Sequence, residues 1–305
     1  MKKRNFVLVF IVSMLFLVSC GMIDSNDEIS TEITPDGTIL RGSTLSAQLN
    51  WLYENAESHD TYILEVRNNQ NISSRTLDYG GRDSVIVVIR GIGGNQKILS
   101  SRGNLFKINS GVILVLDNDI TLDGQNQNSD CLVNIYGGTF IMNIGSTITN
   151  NGRSAVYVGS GNFEMTGGTI KGNAANIGGG VLVGNGTFNM TGGTISGNIA
   201  GKGGGVFVER NGTFIMRSGN ITDNIAREYG GGVFIERGTF DKTRGIITGF
   251  ADDQTNGNMA KDSLGNILTN RGHAVYLDNL SPRHRETTVT RTDSLSSNSI
   301  YGWDN

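Results

Sequence analysis

The sequence predicts an all-β fold: a right-handed, single-stranded parallel β-helix, or solenoid, with a short N-terminal capping helix. Three observations predict it. Units of 23 to 26 residues repeat along the chain. Apolar side chains hold the same place in successive units, so like residues stack on like. Glycine is abundant (44 residues) and proline rare (2) in a 305-residue chain, which suits many tight corners joined by strands that need every N–H donor.

The first residues read as a leader. Lys2, Lys3 and Arg4 make a positive start, and residues 6–18 are an apolar run too short for a comfortable membrane span. The run ends in Leu17-Val18-Ser19-Cys20-Gly21, which resembles the bacterial lipobox. That resemblance implies that residues 1–19 are a signal peptide removed by cleavage and that Cys20 is diacylated. The other reading is an ordinary secretory leader with an incidental cysteine. Acyl chains on Cys20 would make a membrane the first partner. Met22, rather than Asp, stands two places after the cysteine. By the enterobacterial sorting rule this implies the outer membrane or cell surface, though other phyla follow other rules. Residues 20–42 are polar, carry no apolar period and read as a lipidated tether.

Residues 43–59 read as the capping helix. Leu45, Leu49, Leu52, Tyr53 and Ala56 follow helical spacing after Ser43 or Thr44, either of which suits an N-cap. Its expected task is to cover the unpaired edge and open core that a solenoid leaves at its end.

Residues 60–278 hold the coil, starting with strands at 62–66 and 85–90. Three units are nearly identical: Asn162-Phe-Glu-Met-Thr-Gly-Gly-Thr-Ile-Lys-Gly-Asn173, Thr187-Phe-Asn-Met-Thr-Gly-Gly-Thr-Ile-Ser-Gly-Asn198 and Thr213-Phe-Ile-Met-Arg-Ser-Gly-Asn-Ile-Thr-Asp-Asn224. Each is followed by Gly-Gly-Gly-Val, at 178–181, 203–206 and 230–233. Phe140, Phe163, Phe188, Phe214 and Phe240 stand 23, 25, 26 and 26 residues apart. The apolar segments Val-x-Val, Phe-x-Met and Thr-Ile are too short for helices and imply three strands per turn. Alternation places the Phe column, Met142/165/190/216 and Ile148/170/195/221/247 inward. Asn151, Asn173, Asn198 and Asn224 form a further column, read as a structural ladder at a turn where Asn tolerates unusual φ. Cys131 fits a small buried apolar site, and no disulfide framework exists. Residues 249–269 read as a turn insertion, and 279–305 as a C-terminal tail or cap.

These repeats resemble those of the pectate-lyase-like superfamily of right-handed β-helices. Gly-Gly-Gly-Val and Ile-x-x-Asn are similar to the Gly-Gly-Ala-Ile and Phe-x-x-Asn repeats of chlamydial polymorphic membrane proteins. The likeness covers about residues 104–278. It implies a surface lipoprotein and leaves room for an enzyme acting on acidic polysaccharides.

Composition narrows the function. Without Lys2, Lys3 and Arg4 the 25 basic residues become 22 against 28 acidic, a net charge of −6, with no basic run, which excludes a nucleic-acid binder on electrostatic grounds. Glu209 and Glu236 hold equivalent places one rung apart and are the best acid pair for sugar chemistry. Each is followed by an arginine, Arg210 or Arg237, so a solvated ion pair is the favoured reading. His59, His273 and His284 lack metal-ligand spacing, and Asp117, Asp119 and Asp123 lack the glycine and distal Glu of a calcium loop. No metal or cofactor is expected. The outward column Tyr157, Leu182, Phe207, Phe234 and Tyr276 forms an apolar stripe, read either as a binding ridge or as a face covered by the insertion or tail. Two functions follow: a non-catalytic adhesion or ligand-binding module for a host protein or glycan, and a polysaccharide lyase or hydrolase.

Overall fold

The repeating unit stacks directly on itself. Phe140 lies opposite Phe163, Phe163 opposite Phe188, and Phe188 opposite Phe214, all in parallel register. A computed structural model shows a parallel β-solenoid of about eight turns with one short helix near its N-terminal end. It describes residues 29–34, 36–100, 102–126, 128–250, 253–268 and 271–278, with the backbone of strands Val289–Arg291 and Trp303–Asp304. The leader, Cys20, Pro35, Pro282 and most of the tail lie outside the described residues.

The three expected strands per turn are present. The Val-x-Val and Phe-x-Met strands belong to one hydrogen-bonded sheet, because in Val133–Met142 and Val156–Met165 they run on without a break. Register shifts between Ile135 and Thr139 make the bend. The Thr-Ile strands form a separate sheet of eight. A fourth short strand appears in later turns, at Ile199–Lys202, Ile225–Tyr229 and Met259–Ala260. It escapes a reading built on apolar triplets because its most deeply buried side chain is a small alanine, Ala200, Ala226 or Ala260.

The inward columns make the core. Phe140, Phe163, Phe188, Phe214 and Phe240 are fully buried, and neighbouring rings stack with centroids 4.7–5.2 Å apart. That spacing is the rise of one rung, so each ring touches the next face to face. Burying such a side chain contributes about 1.5–3 kcal/mol. Met142, Met165, Met190 and Met216 stack beside them, and Lys242 takes the next place in that column.

Three of the turns close at a glycine triplet. Gly203 sits at φ +62°, and a Cβ on Gly204 would lie 2.4 Å from the carbonyl oxygen of Gly231 on the next rung. The first position needs the left-handed region and the second needs the space.

The N-terminal end differs from expectation. Residues 30–41, placed in the tether, form a hairpin of β1 (Ser30–Thr34) and β2 (Gly37–Arg41). Strand β2 then pairs in parallel with β3 (Thr61–Val66), with Ile39 opposite Ile63. Ile39 and Leu40 are buried, and Leu40 joins the core. A strand added to an existing edge needs no longer apolar pattern, so the polar surroundings concealed it. Helix α1 (Leu45–Asn55) starts at Thr44, whose Oγ1 accepts from the Ala47 N–H at 3.1 Å. Leu45, Leu49, Leu52 and Ala56 enter the core, whereas Tyr53, expected on the same stripe, is 67% exposed. Gln48 takes the buried place instead, with Nε2 donating to the Glu65 carbonyl. The capping is therefore shared: β1 pairs the edge of β2, and α1 fills the end of the core.

At the far end, 249–269 is not wholly an insertion. Met259–Ala260 pairs with Ile225–Tyr229 as the next rung, between two looped stretches. Val289–Arg291 and Trp303–Asp304 pair in parallel with Thr239–Lys242 and Val275–Asp278, so strand stacking continues past residue 278.

Candidate functional site

The predicted stripe exists as a column. Tyr157, Leu182, Phe207, Phe234 and Tyr276 lie opposite one another on successive rungs, outside the core. Phe207 and Phe234 stack at 5.0 Å, and Phe234 and Tyr276 at 5.4 Å. As an open ridge the stripe fails, because Leu182, Phe207 and Phe234 are 7%, 3% and 1% exposed. Among the described residues, what packs on it is the residue just before each glycine corner. Ile177 and Tyr229 pack on the column, and the Lys202 ammonium sits 5.5 Å from the Phe234 ring centre. Tyr229 also meets Tyr276 at 4.5 Å, and the Arg271 guanidinium lies 4.3 Å from the Tyr229 ring centre. The triplet folds the chain back on itself, so the side chain before it leans over the face that follows. A column Ile177, Lys202, Tyr229, Arg271 is visible in the sequence once this corner is known.

Solvent reaches the stripe in part at its two ends, Tyr157 and Tyr276. Tyr157 is half-buried, and Tyr136, 42% exposed, meets it edge-on at 6.0 Å. The Lys107 ammonium stands 5.0 Å from the Tyr136 ring centre.

Glu209 and Glu236 are half-buried beside the same face, and Glu236 lies opposite Asp278 on the next rung. The expected ion pairs with Arg210 and Arg237 are not among those of the described residues. Adjacent residues of an extended chain project to opposite sides, and Arg237 sits at a left-handed turn with φ 59°. Burial, and then the charge of Glu236, pushes the Glu209 carboxyl above the ordinary carboxylate range.

The asparagine column is a ladder. The Asn173 N–H and Nδ2 both donate to Asn198 Oδ1, at 3.1 and 2.9 Å, and Asn198 repeats this to Asn224 at 3.0 and 2.9 Å. Asn151 joins below through its N–H to Asn173 Oδ1. A fifth member, Asn258, continues the row above Asn224. It was hidden because it stands 34 residues on, past a looped stretch. The unusual φ falls one residue earlier than expected, at Asn150, Gly172, Gly197 and Asp223. These residue types tolerate the left-handed region.

Beside the early end of the stripe lies a groove of about 310 Å³ that sequence reading missed. Ile177, Leu182 and Ile199 supply apolar surface, with Ser129, Asn176 and the exposed Arg153 and Arg227 around them. Neither arginine enters an ion pair among the described residues. Its residues come from five successive rungs, so no local motif announces it. Cys131 lies close to Arg153 but is buried and free, and burial pushes its thiol up to about 11, Asp130 adding to the rise.

Of the residues weighed for metals, His273 is buried with Nδ1 accepting from the Ala260 N–H, and Asp123 faces Lys97 at 3.5 Å. His284 lies outside the described residues. Comparison with protein-family models gave no match, and neither curated proteins nor solved structures gave one.

Proposed function

We propose that the chain is a non-catalytic binding module of the bacterial surface. Cys20, acylated after removal of residues 1–19, holds it on the outer membrane, and the solenoid presents a groove to a host protein or glycan. The carrying observation is the groove itself: two exposed guanidinium groups, Arg153 and Arg227, unpaired by any carboxylate of the described residues, stand over an apolar floor. Such a pair offers charge-assisted, forked hydrogen bonds to the acid groups of a glycan or protein. A stacked scaffold loses little freedom when it binds. The resemblance of the repeats to those of chlamydial polymorphic membrane proteins supports display at a surface.

Arg153→Ala with Arg227→Ala should weaken binding to acidic glycans or matrix proteins by roughly tenfold or more, with melting unchanged. Unchanged binding would remove the groove from consideration. Cys20→Ala should release the chain from the membrane fraction, and protease added to intact cells should remove the wild type.

One observation favours a second reading, an enzyme on acidic polysaccharides. Glu209, its carboxyl raised by burial and by the charge of Glu236, stands next to that second acid, and glycoside hydrolysis uses a pair of carboxyl groups. New reducing ends or unsaturated products from such a polysaccharide, abolished by Glu209→Gln, would establish it.

A further inference from the structure

One wall of the groove is a sheet that stops short. The sheet of Ile199–Lys202, Ile225–Tyr229 and Met259–Ala260 gains one further rung below, where Ala174 pairs with Ile199 and Ile177 with Lys202. There it ends. Between the ladder asparagine and the next valine the chain has seven residues at 174–180 and at 199–205, but only four at 152–155. That shorter corner cannot carry the strand on.

The stop leaves main-chain groups over. One rung up, Ile199 and Lys202 direct both of theirs at the rung beneath: their N–H groups donate to the Asn173 and Asn176 carbonyls, and their own carbonyls accept from Ala175 and Gly178. Ala174 and Ile177 hold the same places but make one such bond each. The Ala174 N–H donates to the Asn151 carbonyl at 2.8 Å, and the Ile177 carbonyl accepts from Ser154 Oγ at 2.9 Å. The Ala174 carbonyl and the Ile177 N–H have no hydrogen-bond partner among the described residues. In an extended chain the N–H and C=O of one residue point the same way, so both free groups face the missing rung. Both residues line the groove, with Ala174 exposed and Ile177 half-buried.

We propose that the groove binds an extended, acidic peptide segment of a partner protein, which adds the missing strand. An open sheet edge is a template for another chain, and such a chain brings an N–H for the Ala174 carbonyl and a carbonyl for the Ile177 N–H. Arg153 and Arg227, on the same groove, select aspartate or glutamate side chains by charge and by their forked donors. Ile177, Leu182 and Ile199 receive the apolar side chains that alternate with them. The proposal rests on the surface-module reading and narrows its ligand from protein or glycan to protein.

Calorimetric titration of the full chain with acetyl-Val-Asp-Val-Asp-Val-amide, and separately with oligogalacturonate, tests it. The peptide should bind and the glycan should not. The same peptide N-methylated along its backbone keeps every side chain but loses its N–H donors, and should bind roughly tenfold more weakly. Arg153→Ala with Arg227→Ala should weaken the parent peptide by roughly the same factor. Hydrogen exchange at the Ile177 amide should slow when the peptide is bound. The proposal is overturned if the peptide does not bind, if N-methylation or the double variant leaves its binding unchanged, or if Ile177 exchanges as fast with the peptide as without it. Oligogalacturonate or a matrix protein held through the two arginines in the absence of peptide binding would overturn the added strand and leave the groove of the surface module in place.

Discussion

Asn173 gives two hydrogens to a single oxygen of Asn198, one from its backbone and one from its side chain. Asn198 Nδ2 in turn donates to the Ile170 carbonyl and to Asn224 Oδ1. All of these groups are buried, so removing one amide strands donors and acceptors on both sides.

Asn198→Leu should therefore destabilise the chain by about 3 kcal/mol or more, read from denaturant unfolding. Asn198→Asp keeps the acceptor for Asn173 and loses the donors, placing a charge where none is compensated, so it should not rescue. An unchanged unfolding midpoint for Asn198→Leu would show that the ladder is dispensable.

Phe234 belongs with the core in energetic terms, although it points the other way. Phe234→Ser and Phe207→Ser should each cost about 3–5 kcal/mol, close to the cost of the inward Phe214→Ala. Tyr53→Ala, at an exposed position, should leave the melting temperature nearly unchanged. Thermal melts of the four variants side by side decide it.

Glu65 gathers three arginines. Arg90 and Arg67 donate to its carboxylate at 2.9 and 2.8 Å, and Arg41, which also meets Glu32, does so at 3.1 Å. Burial by itself raises its pKa, but the hydrogen bonds and charges of Arg90 and Arg41 outweigh that and hold it below the ordinary range. A depressed folded value means that the stabilisation is present at neutral pH. It fades as the pH falls below the ordinary carboxylate value and is lost once the folded group takes its proton. Glu65→Gln should lower the melting temperature at neutral pH and flatten its decline over that acid range. A variant whose profile parallels the wild type would remove Glu65 from the acid response.

Cys131 should resist alkylation at mildly alkaline pH, because burial keeps it a thiol, its value raised to about 11. Labelling should appear only as the chain unfolds. Rapid modification of the native protein would show that the thiol is open to solvent.

The repeat made the fold legible because stacking leaves the same residue at the same place every turn, as Phe163, Phe188 and Phe214 do. Columns of that kind reveal which side chains share a face, but not whether a face is covered. Phe207 and Phe234 read as a ridge because their cover, Lys202 and Tyr229, looks like solvated corner residues in the sequence. The strand at residues 37–41 was concealed for a different reason: its neighbours supply the edge and the core that its own residues do not advertise. Arg153 and Arg227 lie 74 residues apart and line one groove only through the coiling of the chain.

The rungs are joined by hydrogen bonds running along the solenoid axis, and each rung touches only its neighbours. A tug on the N-terminal side, against a ligand gripped in the groove, would open these contacts one turn after another rather than shear many at once. The hairpin of β1 and β2 would part first, then the turns through β3 and those before residue 129, while the groove stayed folded. Each turn of about 25 residues would release about 80 Å of chain. Stretched singly, such molecules would yield in steps of that length at low force, so an attachment made through this protein would extend under drag before it let go.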